Sequence, residues 1–242
     1  MPFAPRAVIF DFDGLIVDTE TPIFEAWLAA YRRRGCTVGL EEWQHALGTH
    51  GGFDPLEHLE DQMRGSALAP GQALDRDAVL AEVKEASARG CDGQPLLPGV
   101  EALLQDALAL GLGRAVASSS SCGWVDGWLR RHGVREQIEV VVGRDDVRRV
   151  KPDPELFLLA ASRLGVEPAR CLVFEDSPNG MRAAQDAGMR CVAVPNALTR
   201  PLERPEVDLV VGSLAEQSLA EMLQQVEGRP AATRRLVALD HG

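Results

Sequence analysis

Asp11 and Asp13 stand one residue apart at the end of the apolar run Ala7-Val8-Ile9-Phe10, and Gly14 follows at once. A short β-branched and aromatic run ending in acids predicts a buried parallel strand that delivers carboxylates to a sheet edge. Alternation along a regular strand puts Asp11 and Asp13 on one face, and Gly14 permits an immediate turn. That arrangement suits one carboxylate as nucleophile, the other as proton carrier and a hard cation between them. Two acids in a solvated turn would look the same, so the pair does not decide the matter alone.

Three later segments add to it. The run Gly113-Arg114-Ala115-Val116-Ala117 empties into Ser118-Ser119-Ser120-Ser121. Lys151 precedes Pro152-Asp153-Pro154, where Asp153 suits a helix N-cap and Pro154 a first helical position. Cys171-Leu172-Val173-Phe174 reads as another strand and ends in Glu175-Asp176. Taken singly, Lys151 is a surface lysine, Ser118 a helix cap, and Glu175-Asp176 charges at a helix start. Those separate readings do not predict the four segments together.

The order strand–DxD, strand–Ser, Lys before a helix, strand–Glu-Asp resembles the haloacid dehalogenase superfamily, in its branch of capped phosphatases and β-phosphoglucomutase-like enzymes. The motifs run from Asp11 to Asp176 and the resemblance covers nearly the whole chain. It implies that Asp11 is the nucleophile and Asp13 the acid and base. It also implies that Ser118 and Lys151 bind the transferring phosphoryl group, with the backbone N–H groups of Phe12 and Ser119 as further donors. Mg²⁺ is the implied cofactor, held by Asp11, Asp176 and the carbonyl of Asp13, with Glu175 behind or as an alternate ligand. The need for a cation is physical: like charges about 4 Å apart repel by about 4 kcal/mol at an effective dielectric near 20. A carboxylate at Asp13 favours phosphoryl transfer over dehalogenase or phosphonatase chemistry, which in this family lacks that acid.

The expected function is a phosphatase acting on small phosphate monoesters such as sugar phosphates. A phosphosugar mutase and a non-catalytic phosphometabolite-binding protein are the alternatives. Asp18-Thr19 and Trp27 resemble the mutases and place Thr19 among the substrate-binding residues, but Ile23 stands where those enzymes carry a histidine. The stretch Leu47-Gly48-Thr49-His50-Gly51-Gly52 has no lysine or arginine. His50 is its candidate for facing substrate, with Lys84 on a later helix as a further cap group.

The elements that must position these residues follow from the pattern. Helical spacing over Phe24, Trp27, Leu28 and Tyr31 opens a block of helices at about 40–47, 54–64 and 74–89. Arg32-Arg33-Arg34 is expected to be a solvated helix end. From Gly99 helices alternate with strands at 113–117, 138–142, 171–174, 190–194 and 207–211, and Ser213-Leu-Ala-Glu216 reads as the capping box of the last helix. The expected fold is α/β: a Rossmann-like parallel sheet with helices on both faces, residues 1–14 and 93–228, plus an inserted helical cap, 15–92. The segments 14–18 and 93–99 would form the hinge, and the tail 229–242 is left open between a packed extension and a partner contact.

At 242 residues, 45% hydrophobic and 25% charged, the chain has ordinary globular composition. No apolar run reaches the roughly 20 residues of a membrane span. A net charge of −11 argues against nucleic acid as a partner. The resemblance implies a small phosphorylated metabolite instead, and the oligomeric state stays open. Five cysteines without a CxxC pair suggest a cytoplasmic protein. Cys122, beside the serine run, occupies a helix start where a thiol can be acidified, although a passive role is favoured.

Overall fold

The computed structural model describes residues 3–47, 53–65 and 74–228. Six strands form one parallel sheet: β1 (Ala7–Phe10), β2 (Gly113–Ala117), β3 (Val140–Val142), β4 (Cys171–Glu175), β5 (Arg190–Ala193) and β6 (Leu209–Val210). Their order is β3-β2-β1-β4-β5-β6. The chain lays β2 and β3 on one side of β1, then crosses to lay β4, β5 and β6 on the other. This makes the carboxyl ends of β1 and β4 the switch point where such sheets bind ligands. Phe10 is in register with Val116 on one side and Phe174 on the other, and the Phe10 and Phe174 rings stack 5.2 Å apart. Asp11 N–H donates to the Phe174 carbonyl at 3.0 Å, so Asp11 emerges level with Glu175.

Side-chain alternation sends each strand into two cores. Val8, Phe10, Val116, Leu172 and Phe174 pack with α5 (Val100–Ala109), α6 (Cys122–Arg131) and α9 (Leu219–Glu227). Ala7, Ile9, Ala115, Val142 and Val173 pack on the other face with α7 (Glu155–Leu164) and α8 (Pro178–Asp186). A strand buried on both faces must be apolar at every position, which is why β1 and β4 read as continuous runs rather than alternations.

The inserted cap holds α1 (Glu20–Arg33), α2 (Leu40–Trp43), α3 (Pro55–Gly65) and α4 (Arg76–Cys91) around a third core that includes Trp27, Tyr31, Trp43, Leu59 and Val79. Leu198, from the loop after β5, joins that core. Asn179 at the start of α8 donates to the Leu47 carbonyl at 2.9 Å, a second tie between cap and sheet. The two chain crossings meet where Val17 bridges Leu96 and Leu97 N–H donates to the Ile16 carbonyl at 2.8 Å.

Several local expectations shift. The last helix begins at Leu219, and its capping box is Ser218 with Glu221 rather than Ser213 with Glu216. The sequence repeats Ser-Leu-Ala-Glu five residues apart, and only the second copy leads into the apolar spacing of Leu219, Met222 and Val226. The first helix starts at Glu20, and the Asp18 carboxylate accepts from its Thr21 N–H at 3.0 Å. The helix after Lys151 starts at Glu155, with Asp153 accepting from its N–H at 3.0 Å. Arg33 and Arg34 do not end in solvent alone, because both pair with Glu82 of α4 and clamp the two long cap helices. The expected contacts of His50 and of the tail 229–242 lie outside the described residues.

Candidate active site

Behind the end of β1 the chain makes a tight turn. Ile16 N–H donates to the Phe12 carbonyl at 2.8 Å and Gly14 N–H to the Val17 carbonyl at 2.8 Å. Gly14 has φ of 81°, and a Cβ there would lie 2.6 Å from Asn196 Nδ2 and 2.9 Å from Asp176 Oδ2. Backbone sign and close approach therefore both demand glycine. The turn leaves Asp11 and Asp13 in two different polar clusters.

Asp11 belongs to a buried one. Lys151 is fully buried and its ammonium bonds Asp11 Oδ1 and, at 2.6 Å, Glu175 Oε1. It also lies 4.8 Å from the centre of the Phe157 ring. Glu175 Oε2 accepts from the N–H and hydroxyl of Ser177 at 2.9 and 3.0 Å. Asp176 Oδ2 accepts from Asn196 Nδ2 at 2.7 Å, while its Oδ1 is buried with no hydrogen-bond partner among the described residues. Burial tends to lower the Lys151 pKa, but Asp11 and Glu175 more than reverse it, so the side chain stays an ammonium. Asp11 is pushed up to about 7, first by burial and then by Glu175, against the pull of Lys151. Burial, then Glu20 and Glu175, also raises Asp176 well above the ordinary range.

Three buried carboxylates thus face one ammonium, which bonds only Asp11 and Glu175, and the surplus negative charge calls for a cation. Asp11, Glu175 and Asp176 each offer an oxygen within 4.8 Å of the others. All are hard donors, and the bare Asp176 Oδ1 is the oxygen a cation would complete. The set is sparse, as suits Mg²⁺, which keeps several waters. Glu175 is the least available of the three, since Lys151 and Ser177 already engage both of its oxygens.

Asp13 sits in a hydroxyl cluster. Its Oδ1 accepts from Thr19 Oγ1 at 2.5 Å and Trp124 Nε1 at 2.9 Å, and its Oδ2 from Ser120 Oγ at 2.6 Å and Ser118 Oγ at 3.1 Å. Thr19 is fully buried and its hydroxyl is directed at Asp13, so it touches the site through Asp13 rather than as a group facing substrate. The Phe12 side chain is wholly in the core, which leaves only its backbone for a ligand.

A cavity of about 520 Å³ opens in front of both acids. Ser118, Ser119 and Ser120 form its floor with Asp11 and Asp13, and the cap contributes Ile23, Trp27, Trp43 and Phe53. Ile23 gives this wall an apolar group where a mutase-like histidine would stand. Arg144 also lines the cavity, from the turn after β3.

Glu20, Ser120, Trp124, Arg144 and Asn196 were not singled out from the sequence. Glu20 directly follows Asp18-Thr19, and Ser120 lies in the noted serine run, so position along the motif could have flagged both. Trp124, Arg144 and Asn196 arrive through the fold, and no local pattern marks them. Cys122 does begin α6, but burial and the hydrogen bond to Asp146 push its thiol up to about 11, so the helix start does not acidify it.

Comparison with known proteins agrees with this architecture. The family model for haloacid dehalogenase-like hydrolases matches residues 8–194. The Bacillus subtilis protein YhcW is 43% identical over 224 residues, covering 93% of this chain and 99% of that one. Validoxylamine A 7'-phosphate phosphatase of Streptomyces hygroscopicus subsp. limoneus is 30% identical over 213 residues, 87% and 95% of the two chains. Among solved structures, CbbY of Rhodobacter sphaeroides with xylulose-1,5-bisphosphate matches with a TM-score of 0.70 at 30% identity, covering 90% of this chain and 99% of that one. With its motifs, sheet order and helical cap all in agreement, the chain belongs to the haloacid dehalogenase-like hydrolases.

Proposed function

We propose that this enzyme is a Mg²⁺-dependent phosphatase that hydrolyses small phosphate monoesters, sugar phosphates foremost, through an aspartyl phosphate on Asp11. The observation that carries the reading is the pairing of two unlike carboxylates at one cavity. Asp11 is buried beside an ammonium and two further acids, while Asp13 is held among hydroxyls. A binding protein has no use for such a pair.

Asp11 attacks phosphorus, and the bond from phosphorus to the leaving oxygen breaks as Asp13 gives that oxygen its proton. Water then attacks the phosphoryl group, Asp13 takes the water's proton, and Asp11 leaves as a carboxylate with inorganic phosphate released. Lys151, fixed by two acids, keeps Asp11 oriented and adds positive charge where the transition state spreads its negative charge. Ser118 and the backbone N–H groups of Phe12 and Ser119 serve as donors to the phosphoryl oxygens. Asp11, Asp176 and the Asp13 carbonyl, with Glu175 behind, would hold Mg²⁺, which would supply the charge neutralisation that lets a carboxylate approach a phosphate dianion.

The relatives named as phosphatases support the class, and the apolar Ile23 supports hydrolysis over mutase chemistry. Five free thiols fit a reducing compartment such as the cytoplasm. Among the described residues no helix is long and apolar enough to cross a membrane. The test is phosphate release with Mg²⁺ across sugar phosphates, phosphoglycolate and nucleotides, together with an assay for glucose 6-phosphate formed from glucose 1-phosphate. Phosphate release that EDTA abolishes supports the reading. Rapid isomerisation with little phosphate release would replace it with the mutase reading.

A further inference from the structure

Trp124 is a large aromatic residue in the first turn of α6 and keeps 37% of its surface exposed. Two contacts fix it there: its backbone N–H donates to the hydroxyl of Ser121, the N-cap of α6, at 3.3 Å, and its ring meets Trp128 edge-on at 5.7 Å. From that position the indole N–H reaches Asp13 Oδ1 at 2.9 Å. Surface packing on its own accounts for the ring contact with Trp128 but not for the aim of the indole N–H.

The chemistry of the four donors around Asp13 separates Trp124 from the rest. A carboxylate offers about four lone-pair sites, and here each oxygen receives two donors. To act as an acid, Asp13 must carry a proton on one oxygen. Thr19, Ser118 and Ser120 can rotate their hydroxyls and accept that proton's hydrogen bond, whereas an indole N–H only donates. A protonated oxygen is a poorer acceptor, so the Trp124 bond is best kept when Oδ1 is bare. A proton on Oδ1 directed at the fully buried Thr19 would also be out of reach of a substrate. The Oδ2 side is shared with Ser118 and Ser120, both on the cavity wall.

We propose that Trp124 is a positioning residue for the acid and base Asp13: its indole N–H holds Oδ1 as acceptor and directs the transferable proton to Oδ2, facing the leaving oxygen. This rests on the phosphatase reading, in which Asp13 protonates the leaving group.

The experiment compares Trp124→Phe, Asp13→Asn and the double variant on two esters. An alkyl phosphate needs its leaving oxygen protonated, and p-nitrophenyl phosphate does not. Trp124→Phe should lower kcat/KM for the alkyl ester roughly tenfold, near the low end for a lost hydrogen bond to a charged group, and for the nitrophenyl ester by less than about twofold. In the Asp13→Asn background, Trp124→Phe should add nothing, because the two act as one unit. Equal losses on both esters, or a further loss in the double variant, would overturn the positioning role and leave Trp124 as a wall of the cavity. Asp13→Asn without any preference between the esters would instead overturn the assignment of Asp13 as acid, and the role of Trp124 with it.

Discussion

The Lys151 ammonium lies 2.6 Å from Glu175 Oε1, and both side chains are completely buried. A lysine with no exposure is tolerable only when its charge is matched, and here it is over-matched, since Asp11 takes a second of its donors. Glu175 thereby serves as the anchor that fixes the ammonium beside Asp11. Removing the cation would leave Asp11 and Glu175 facing each other in low dielectric.

Lys151→Ala should therefore lower the unfolding free energy by about 3–5 kcal/mol, as breaking a buried ion pair does, besides abolishing turnover. Denaturant unfolding checks this. An unchanged midpoint with lost activity would confine Lys151 to catalysis.

The same surplus of acid predicts how stability responds to pH. Asp11 is raised from 3.8 to about 7 and Asp176 is raised as well, so between those limits the folded chain binds more protons than the unfolded one. Stability then falls as pH rises from about 4 to about 7 in metal-free protein. Saturating Mg²⁺, which takes the place of the protons, should flatten that slope. Melting curves with EDTA and with Mg²⁺ across this range test it, and matching slopes in the two series would contradict the shared cation site.

Gly180 in α8 lies against the Glu175 carboxylate, where an added Cβ would overlap it. Gly180→Ala should destabilise by about 1–3 kcal/mol, as overpacking does, and should weaken Mg²⁺ activation by displacing Glu175 from Lys151. A variant with wild-type melting and wild-type Mg²⁺ dependence would show that α8 yields more freely than its packing indicates.

Asp176→Ala should raise the Mg²⁺ concentration needed for half-maximal rate at least tenfold, because the sparse ligand set loses one of its few protein oxygens. Titration of phosphate release against Mg²⁺ measures it. An unaltered requirement would remove Asp176 from the cation site.

Much of the sheet was legible because buried parallel strands announce themselves as short apolar runs, and the acids stand directly at their ends. The strands at 113–117 and 171–174 were placed to within one residue for that reason. The start of the last helix was misplaced because two identical Ser-Leu-Ala-Glu strings compete locally, and only packing against the core chooses between them. The contacts of Asp13 with Trp124, and of Asp176 with Asn196, join residues 111 and 20 positions apart. Those pairings depend on how loops after β2 and β5 converge on β1, information that no local spacing carries. The partners of Glu82 were hidden likewise, since an arginine cluster at a helix end looks solvated until another helix is laid beside it.

The proposed mechanism requires that Asp11 become covalently phosphorylated during turnover. Acid quenching of the enzyme in the steady state with Mg²⁺ and a cleaved ester, followed by borohydride reduction and peptide mapping, reads this directly, because an aspartyl phosphate is reduced to homoserine. Homoserine should be found at position 11, and Asp11→Asn should give none while also releasing no phosphate. Full-rate phosphate release by Asp11→Asn would contradict the mechanism.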